Sequence, residues 1–222
     1  MSVYFVTGAG TDIGKTYVTT LLVRQLKAAG RAVVALKPVV SGVSAIDGVD
    51  FIASDTAQLL AAQDLPITAD SVNACSPWRF GQPLSPDMAA AAEGRTVSLE
   101  AVLDWCQGQI ATATGGTVVL IEGVGGVMSP MTSDALNLDL IKALGCEALL
   151  VTGSYLGALT HALTAIETLK AHGVSVRAIV LNESAGSGVD FDATHQTLQR
   201  HAASTSIVTI RRGASSVALD LI

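Results

Sequence analysis

Gly8-Ala9-Gly10-Thr11-Asp12-Ile13-Gly14-Lys15-Thr16 is the stretch that decides the fold. It follows the short apolar run Val3–Thr7 and precedes a stretch in which Val18, Leu21, Leu22, Leu26 and Ala29 fall on one helical face, with Gly30 as the stop. A glycine-rich turn between a strand and a helix can aim several backbone N–H groups at one anion, and the helix dipole adds partial positive charge. In that context Lys15 is placed to reach β- and γ-phosphates, and the Thr16 hydroxyl to hold Mg²⁺. The usual spacing puts a glycine where this chain has Ala9, with its clear glycine one position earlier at Gly8. An ordinary glycine-rich turn is the competing reading, and the strand-turn-helix setting argues against it. The loop implies a nucleoside triphosphate site.

Working outward, further β-branched runs alternate with amphipathic stretches. Ala32–Lys37, Thr117–Ile121, Ala148–Thr152, Val176–Leu181 and Ser206–Ile210 read as strands without apolar/polar alternation, as expected of parallel strands covered on both faces. After Gly157, residues Leu159, Ala162, Leu163, Ile166 and Leu169 share a helical face that ends at Gly173. The pattern predicts an α/β fold: one domain over residues 1–222, a doubly wound, mainly parallel sheet flanked by helices, with ligands at the carboxyl ends of the strands. Residues of about 43–97 break the alternation, are rich in proline, and read as a helical excursion over the active site.

Composition bounds the ligand. With 13 Lys+Arg against 19 Asp+Glu the net charge is −6, and only 4% of residues are aromatic. That excludes a sequence-independent nucleic-acid binder, which needs a basic footprint and stacking platforms. Cys75, Cys106 and Cys146 are an odd, widely spaced set without a C-x-x-C, so neither a disulfide framework nor a zinc site is expected. Reduced, buried thiols fit a cytoplasmic protein. The N-terminus lacks a basic region before its apolar run and reads as a strand, not a signal peptide. The longest uncharged stretch, Trp105 to Ile121, is interrupted by Gln107, Gly108, Gln109, Gly115 and Gly116 and does not make a membrane span.

Two other strand ends carry chemistry. Ala35-Leu36-Lys37-Pro38-Val39-Val40-Ser41-Gly42 places a lysine at the end of a buried strand, which is costly unless it faces a ligand or a partner charge. A lysine snorkelling at the sheet edge is the alternative. The strand Thr117–Ile121 runs into Glu122-Gly123-Val124-Gly125-Gly126, where an acid is placed to bind Mg²⁺ and the glycines let backbone approach a ligand. Asp55, at the start of a helical stretch, reads on its own as a helix cap.

Together these motifs make the chain resemble the dethiobiotin synthetases. The resemblance rests on Val6-Thr7-Gly8 through Gly14-Lys15-Thr16, Lys37-Pro38-Val39-x-Ser41-Gly42, Ser54-Asp55, Pro83-Leu84-Ser85-Pro86, Glu122-Gly123-x-Gly125-Gly126, and Leu156-Gly157 followed by His161. It implies a ligase of biotin biosynthesis that joins CO₂ to 7,8-diaminopelargonate with hydrolysis of ATP. It further implies that Lys37, Lys15 and Thr11 are catalytic, with Thr11 and Ser41 touching carbamate and substrate. Thr16, Asp55 and Glu122 would hold Mg²⁺, which raises Asp55 from cap to ligand. ATP contacts would fall on Asp12, Ile13, Gly14, Lys15, Thr16, Tyr17, Asp55, Glu122, Gly123, Val124, Gly125, Asn182 and Glu183, with Asn182 reading the adenine edge. Gly157, Ala158, Leu159 and Thr160 would receive the substrate carboxylate across a homodimer interface.

The chain departs from the family pattern at Asp87 and Asp12, and in a short C-terminal end where Arg211 and Arg212 are expected to be a solvated chain end, with a place flanking the base or ribose as the alternative. The competing classes are a P-loop switch ATPase of the partition or metallochaperone type and a small-molecule kinase. Against the first stands the early loop, Ala9-Gly10-Thr11, which lacks the extra lysine many such switches carry.

Overall fold

A computed structural model describes residues 1–217. In chain order the main elements are β1 (Ser2–Gly8), α1 (Lys15–Ala28), β2 (Val33–Leu36), β3 (Val39–Ser41), α2 (Asp55–Ala62), α3 (Ala69–Cys75), β4 (Trp78–Phe80), α4 (Pro86–Ala92), α5 (Leu99–Thr112), β5 (Val118–Glu122), α6 (Asn137–Leu144), β6 (Glu147–Thr152), α7 (Ala158–Ala171), β7 (Val176–Asn182), α8 (Phe191–His201) and β8 (Ile207–Ile210). Six strands form one parallel sheet in the order β2-β5-β1-β6-β7-β8. From β1 the chain first moves to one side and, after β5, to the other, so the crevice beside β1 lies at a topological switch point.

The missing alternation in the strands has a direct cause. Tyr4 and Val6 of β1 pack into one buried cluster with Val18, Leu22 and Leu26 of α1, while Phe5 packs into a second with Ile141 and Ile166 on the other face. In β5 the same split puts Val118 and Leu120 against Val119 and Ile121. Each large side chain so buried contributes about 1.5–3 kcal/mol, and a polar residue on either face would forfeit it. The expected face of α1 is buried except at Ala29, which is the exposed helix cap; Gly30 follows at φ +71°.

The excursion is less helical than the sequence implies. Besides α2, α3, α4 and a 3-10 turn at Val49–Ala53, it contains β4, which pairs with β3 in a second, two-stranded parallel sheet. Strands of three residues are too short to register as a pattern. At the other end of the chain, residues 211–217 run back along α1. Tyr17 Oη donates to the Ala214 carbonyl (2.5 Å), Gln25 holds both the N–H and the C=O of Val217, and Val217 joins the core. No helix is long and apolar enough to cross a membrane among the described residues.

Candidate active site

The loop after β1 wraps tightly because its glycines let backbone and side chains meet. A methyl at Gly8 would lie 2.7 Å from Ile13 Cδ1 and 2.9 Å from the Gly10 carbonyl, so this position requires glycine. Gly14 caps α1 at φ +89°, and Asn182 at the end of β7 packs directly over it, donating Nδ2–H to the Ile13 carbonyl (3.0 Å). Asp12 also takes a positive φ, +55°, which costs strain in a residue with a Cβ and marks the loop as held by its surroundings. Lys15 folds back over the loop, its Nζ 3.0 Å from the Gly10 carbonyl. Burial, reinforced by the nearby Lys37 charge, lowers the Lys15 pKa to about 8.

Beside this loop sits a cluster of buried charge. Lys37 is 3% exposed and lies 2.7 Å from both Asp55 and Glu122, while Thr16 Oγ1 donates to Glu122 Oε1 (2.6 Å). Burial alone would lower the Lys37 pKa, but the Glu122 and Asp55 carboxylates override it and hold the amine above its ordinary value. Burial likewise pushes Asp55 up, and Lys37 overrides that and holds it low. The snorkelling alternative for Lys37 therefore fails: its head is buried and doubly paired. The cap reading of Asp55 fails as well. Ser54 is the cap of α2, accepting from the Ala57 N–H (3.2 Å), and Asp55 in the first turn is freed to face Lys37.

Three adjoining cavities, of about 690, 320 and 540 Å³, surround the loop, and Thr11 and Asp12 line all three. The middle one is lined by Lys15, Thr16, Lys37, Ser41, Asp55, Val124 and Gly125. The third lies under the excursion, where Ser41, Asp55, Pro83, Leu84, Ser85 and Pro86 face Val124 and Gly125. Asp87, the departure noted above, is outside this lining. The largest lies on the β7 side between Ile13, Tyr17, Asn182, Glu183, Arg212 and Gly213. Of the residues named from sequence, Gly123 packs against Phe5 beneath the cleft. Gly157, Ala158, Leu159 and Thr160, at the start of α7, line none of the three cavities. Within that group the Ala158 N–H already donates to the Tyr155 carbonyl (2.9 Å).

Other residues are placed differently from the expectation, or were not named from sequence. Arg211 and Arg212 are not a free chain end: Arg211 pairs with Asp192 (2.5 Å) and Glu183 (3.6 Å) and covers the Phe191 ring, while the Arg212 N–H donates to Glu183. Tyr155, Ser184 and Ala185 complete the largest cavity. Ser129 Oγ accepts from the Gly126 N–H (2.7 Å), and buried Asn137 donates to the Val124 and Gly126 carbonyls, so both brace the glycine loop after β5. No motif announces these residues, since each acts through a contact whose spacing forms no recognised pattern.

A parallel sheet with a lysine-bearing phosphate loop at its switch point, and an acid at the end of the adjacent strand, defines a P-loop nucleotide-binding protein. Residues 2–211 match a family model described as an AAA domain. The chain is 54% identical over 213 residues, 96% of its length and 94% of the relative's, to an ATP-dependent dethiobiotin synthetase of Methylobacterium nodulans. It is 46% identical over 198 residues, 89% of its length and 83% of the relative's, to one of a Caulobacter species. The chain belongs to the family of ATP-dependent dethiobiotin synthetases, ligases of biotin biosynthesis. In fold alone it is similar to a chain of the MinC:MinD cell division complex of Aquifex aeolicus (TM-score 0.54, 11% identity, covering 100% of this chain and 85% of that one). A ParA family ATPase of Chlorobium tepidum is similarly related (TM-score 0.53, 13% identity, covering 95% and 83%).

Proposed function

We propose that the chain closes the ureido ring of dethiobiotin from 7,8-diaminopelargonate, CO₂ and ATP, and that the cluster around Lys37 carries the chemistry. One amine of the substrate forms a carbamate with CO₂; a carbamate oxygen attacks the γ-phosphate of ATP and displaces ADP, giving a carbamic-phosphoric anhydride; the second amine then attacks its carbon and expels phosphate. Every species along this path is anionic, so the site must present cations and N–H groups to charge as it develops. Lys15 and Lys37 are the cations, the amides of residues 12–16 form the phosphate cradle, and Thr11 and Ser41 contact carbamate and substrate. Asn182 and Glu183 face the base, alongside Tyr17. The observation that carries this reading is the junction at Thr11 and Asp12, which borders all three cavities and so lets a nucleotide and a second substrate meet at the terminal phosphate.

Thr16, Asp55 and Glu122 are the residues that would hold Mg²⁺. They are hard oxygen donors, and Glu122 Oε2 is buried without a hydrogen-bond partner, as a ligand oxygen awaiting a cation would be. Bound there, the ion neutralises charge on the β- and γ-phosphates. The two acids now paired with Lys37 would then be shared with the metal, leaving the amine free to face the phosphoryl group in transfer. Gly157, Leu159 and Thr160 offer the start of α7 to the substrate carboxylate of a second copy, in a homodimer; Leu156 beside them is 91% exposed. The unpaired thiols of Cys75, Cys106 and Cys146 are in keeping with a cytoplasmic setting.

The test supplies protein with Mg-ATP, bicarbonate and 7,8-diaminopelargonate and follows ring product and phosphate together. Equal amounts of each are expected. Phosphate release indifferent to the diamine would instead identify a switch ATPase, and a phosphorylated small molecule a kinase.

A further inference from the structure

One side chain faces the phosphate loop and has no task in the scheme above. Tyr155 follows β6, is half-buried, and lines the 690 Å³ cavity with Thr11, Asp12 and Gly14. Its hydroxyl stands over Gly10: a methyl placed there would lie 3.8 Å from Tyr155 Oη, and it would meet nothing else so close. The same hydroxyl is 2.8 Å from Nδ1 of His161, in the first turn of α7.

The segment bearing Tyr155 is fixed from both sides. Ser154 and Ser184 exchange hydrogen bonds, each N–H donating to the other's Oγ at 3.0 Å, and Ser187 Oγ donates to the Ser154 carbonyl (2.7 Å). The Ala158 N–H holds the carbonyl of Tyr155 itself. A tyrosine pinned in this way at the edge of an anion-binding loop is preorganised for a polar contact.

We propose that Tyr155, oriented by His161, donates its hydroxyl proton in a hydrogen bond to a phosphate oxygen of the bound nucleotide. The supply of protons decides the arrangement. A phenol has a single O–H, and an imidazole nitrogen either donates or accepts. If Tyr155 donates to Nδ1, its oxygen presents only lone pairs to the loop, which a phosphate would oppose. If His161 carries its proton on Nδ1 and donates to Tyr155 Oη, the phenol proton is free to point at the ligand. A polyanion in the loop selects the second arrangement. His161 is thus a positioning residue, and Tyr155 the residue that touches ligand. This rests on the nucleotide-binding reading of the cavity.

The experiment measures binding of a non-hydrolysable Mg-ATP analogue and of adenosine by calorimetry, for wild type, Tyr155→Phe, His161→Ala and the double variant. Tyr155→Phe keeps the ring and its packing, and loses roughly tenfold in affinity for the analogue, as removal of a hydrogen bond to a charged group does, with adenosine unchanged. His161→Ala loses up to the same factor alone and nothing further in the Tyr155→Phe background, a result that a merely structural role would not produce. Unchanged analogue affinity in Tyr155→Phe, an equal loss for adenosine, or full additivity of the two substitutions would each overturn the proposal. A wild-type protein that binds no ATP analogue would overturn the nucleotide site itself, and this proposal with it.

Discussion

At the phosphate end of the cleft, Lys37 stands between two carboxylates, Asp55 and Glu122, at 2.7 Å from each. At the end proposed to hold the base, Arg211 also stands between two, Asp192 at 2.5 Å and Glu183 at 3.6 Å. The contacts look alike, yet the side chains of Lys37 and Glu122 are 4% and 0% exposed, and that of Arg211 is 52% exposed. Two unit charges 4 Å apart interact by about 1 kcal/mol in water and about 4 kcal/mol at an effective dielectric constant of 20. Burial, not distance, therefore separates a cluster that can work on a substrate from one that merely decorates a wall. The buried cluster is also incomplete, since Glu122 Oε2 is unpartnered, whereas the exposed one can be satisfied by solvent.

The largest effect should come from Lys37→Ala. In the role proposed for Lys37, as the cation that meets developing negative charge, its removal is expected to lower turnover roughly 10²–10³-fold. It also strands Glu122 beside Asp55, at a cost of about 3 kcal/mol in unfolding free energy. Steady-state turnover and urea denaturation of the same preparation check both. Near-normal ring closure would show that the buried cluster is structural and would remove the contrast with Arg211.

An intermediate effect concerns pH and the wall beneath Lys37. The Lys37 N–H donates to the Cys75 carbonyl (2.9 Å), and burial pushes the Cys75 thiol up to about 11; burial raises Cys106 to about 12 and Cys146 to about 11. These groups keep their protons in the folded protein at a pH where the unfolded chain, with thiols near 8.5, has begun to lose them. At the thiols the unfolded state then binds fewer protons, which lowers stability as pH rises above about 8.5; Lys15, held at about 8 in the folded protein, acts the other way and offsets one of the three thiols. Unfolding free energies measured between pH 8.5 and pH 10 should decline across that window, and a thiol reagent should label Cys75 at pH 8 only as fast as the protein unfolds. Fast native-state labelling of Cys75 would mean that the wall beneath Lys37 opens without global unfolding.

The two ends also differed in what the sequence disclosed. Gly8 to Thr16, Lys37 and Glu122 announce themselves because each belongs to a local pattern at a strand end, and the strand runs themselves are continuous because both faces of the sheet are buried. Ser54 and Asp55 are both good cap residues, so only the position of Lys37, brought in from another strand, decides which one caps α2. The cavity toward β7 takes in Asn182 and Glu183, which the sequence names, but also Ser184, Ala185 and Gly213, joined by contacts that no spacing encodes. Gln25 meets Val217 across 192 positions of chain, and a glutamine on a helix gives no hint of it.

The smallest effect is expected at Arg211. Its guanidinium is held above its ordinary value, first by the hydrogen bond to Asp192, but it lies in solvent, where side-chain entropy and counter-ions offset the attraction. Arg211→Ala should therefore shift the melting temperature by less than about 2 °C, and by even less in molar salt, where exposed pairs are screened. The Arg212 N–H stays on Glu183 through the backbone, and residues 213–217 stay fastened by Tyr17 and Gln25, so the wall of the nucleotide cavity survives the substitution. The KM for ATP is then expected to change less than about threefold. A larger rise in KM, with turnover intact, would show that the stack of Arg211 on Phe191 shapes the cavity, and that an exposed cluster can matter to binding through its geometry even where its charge is screened.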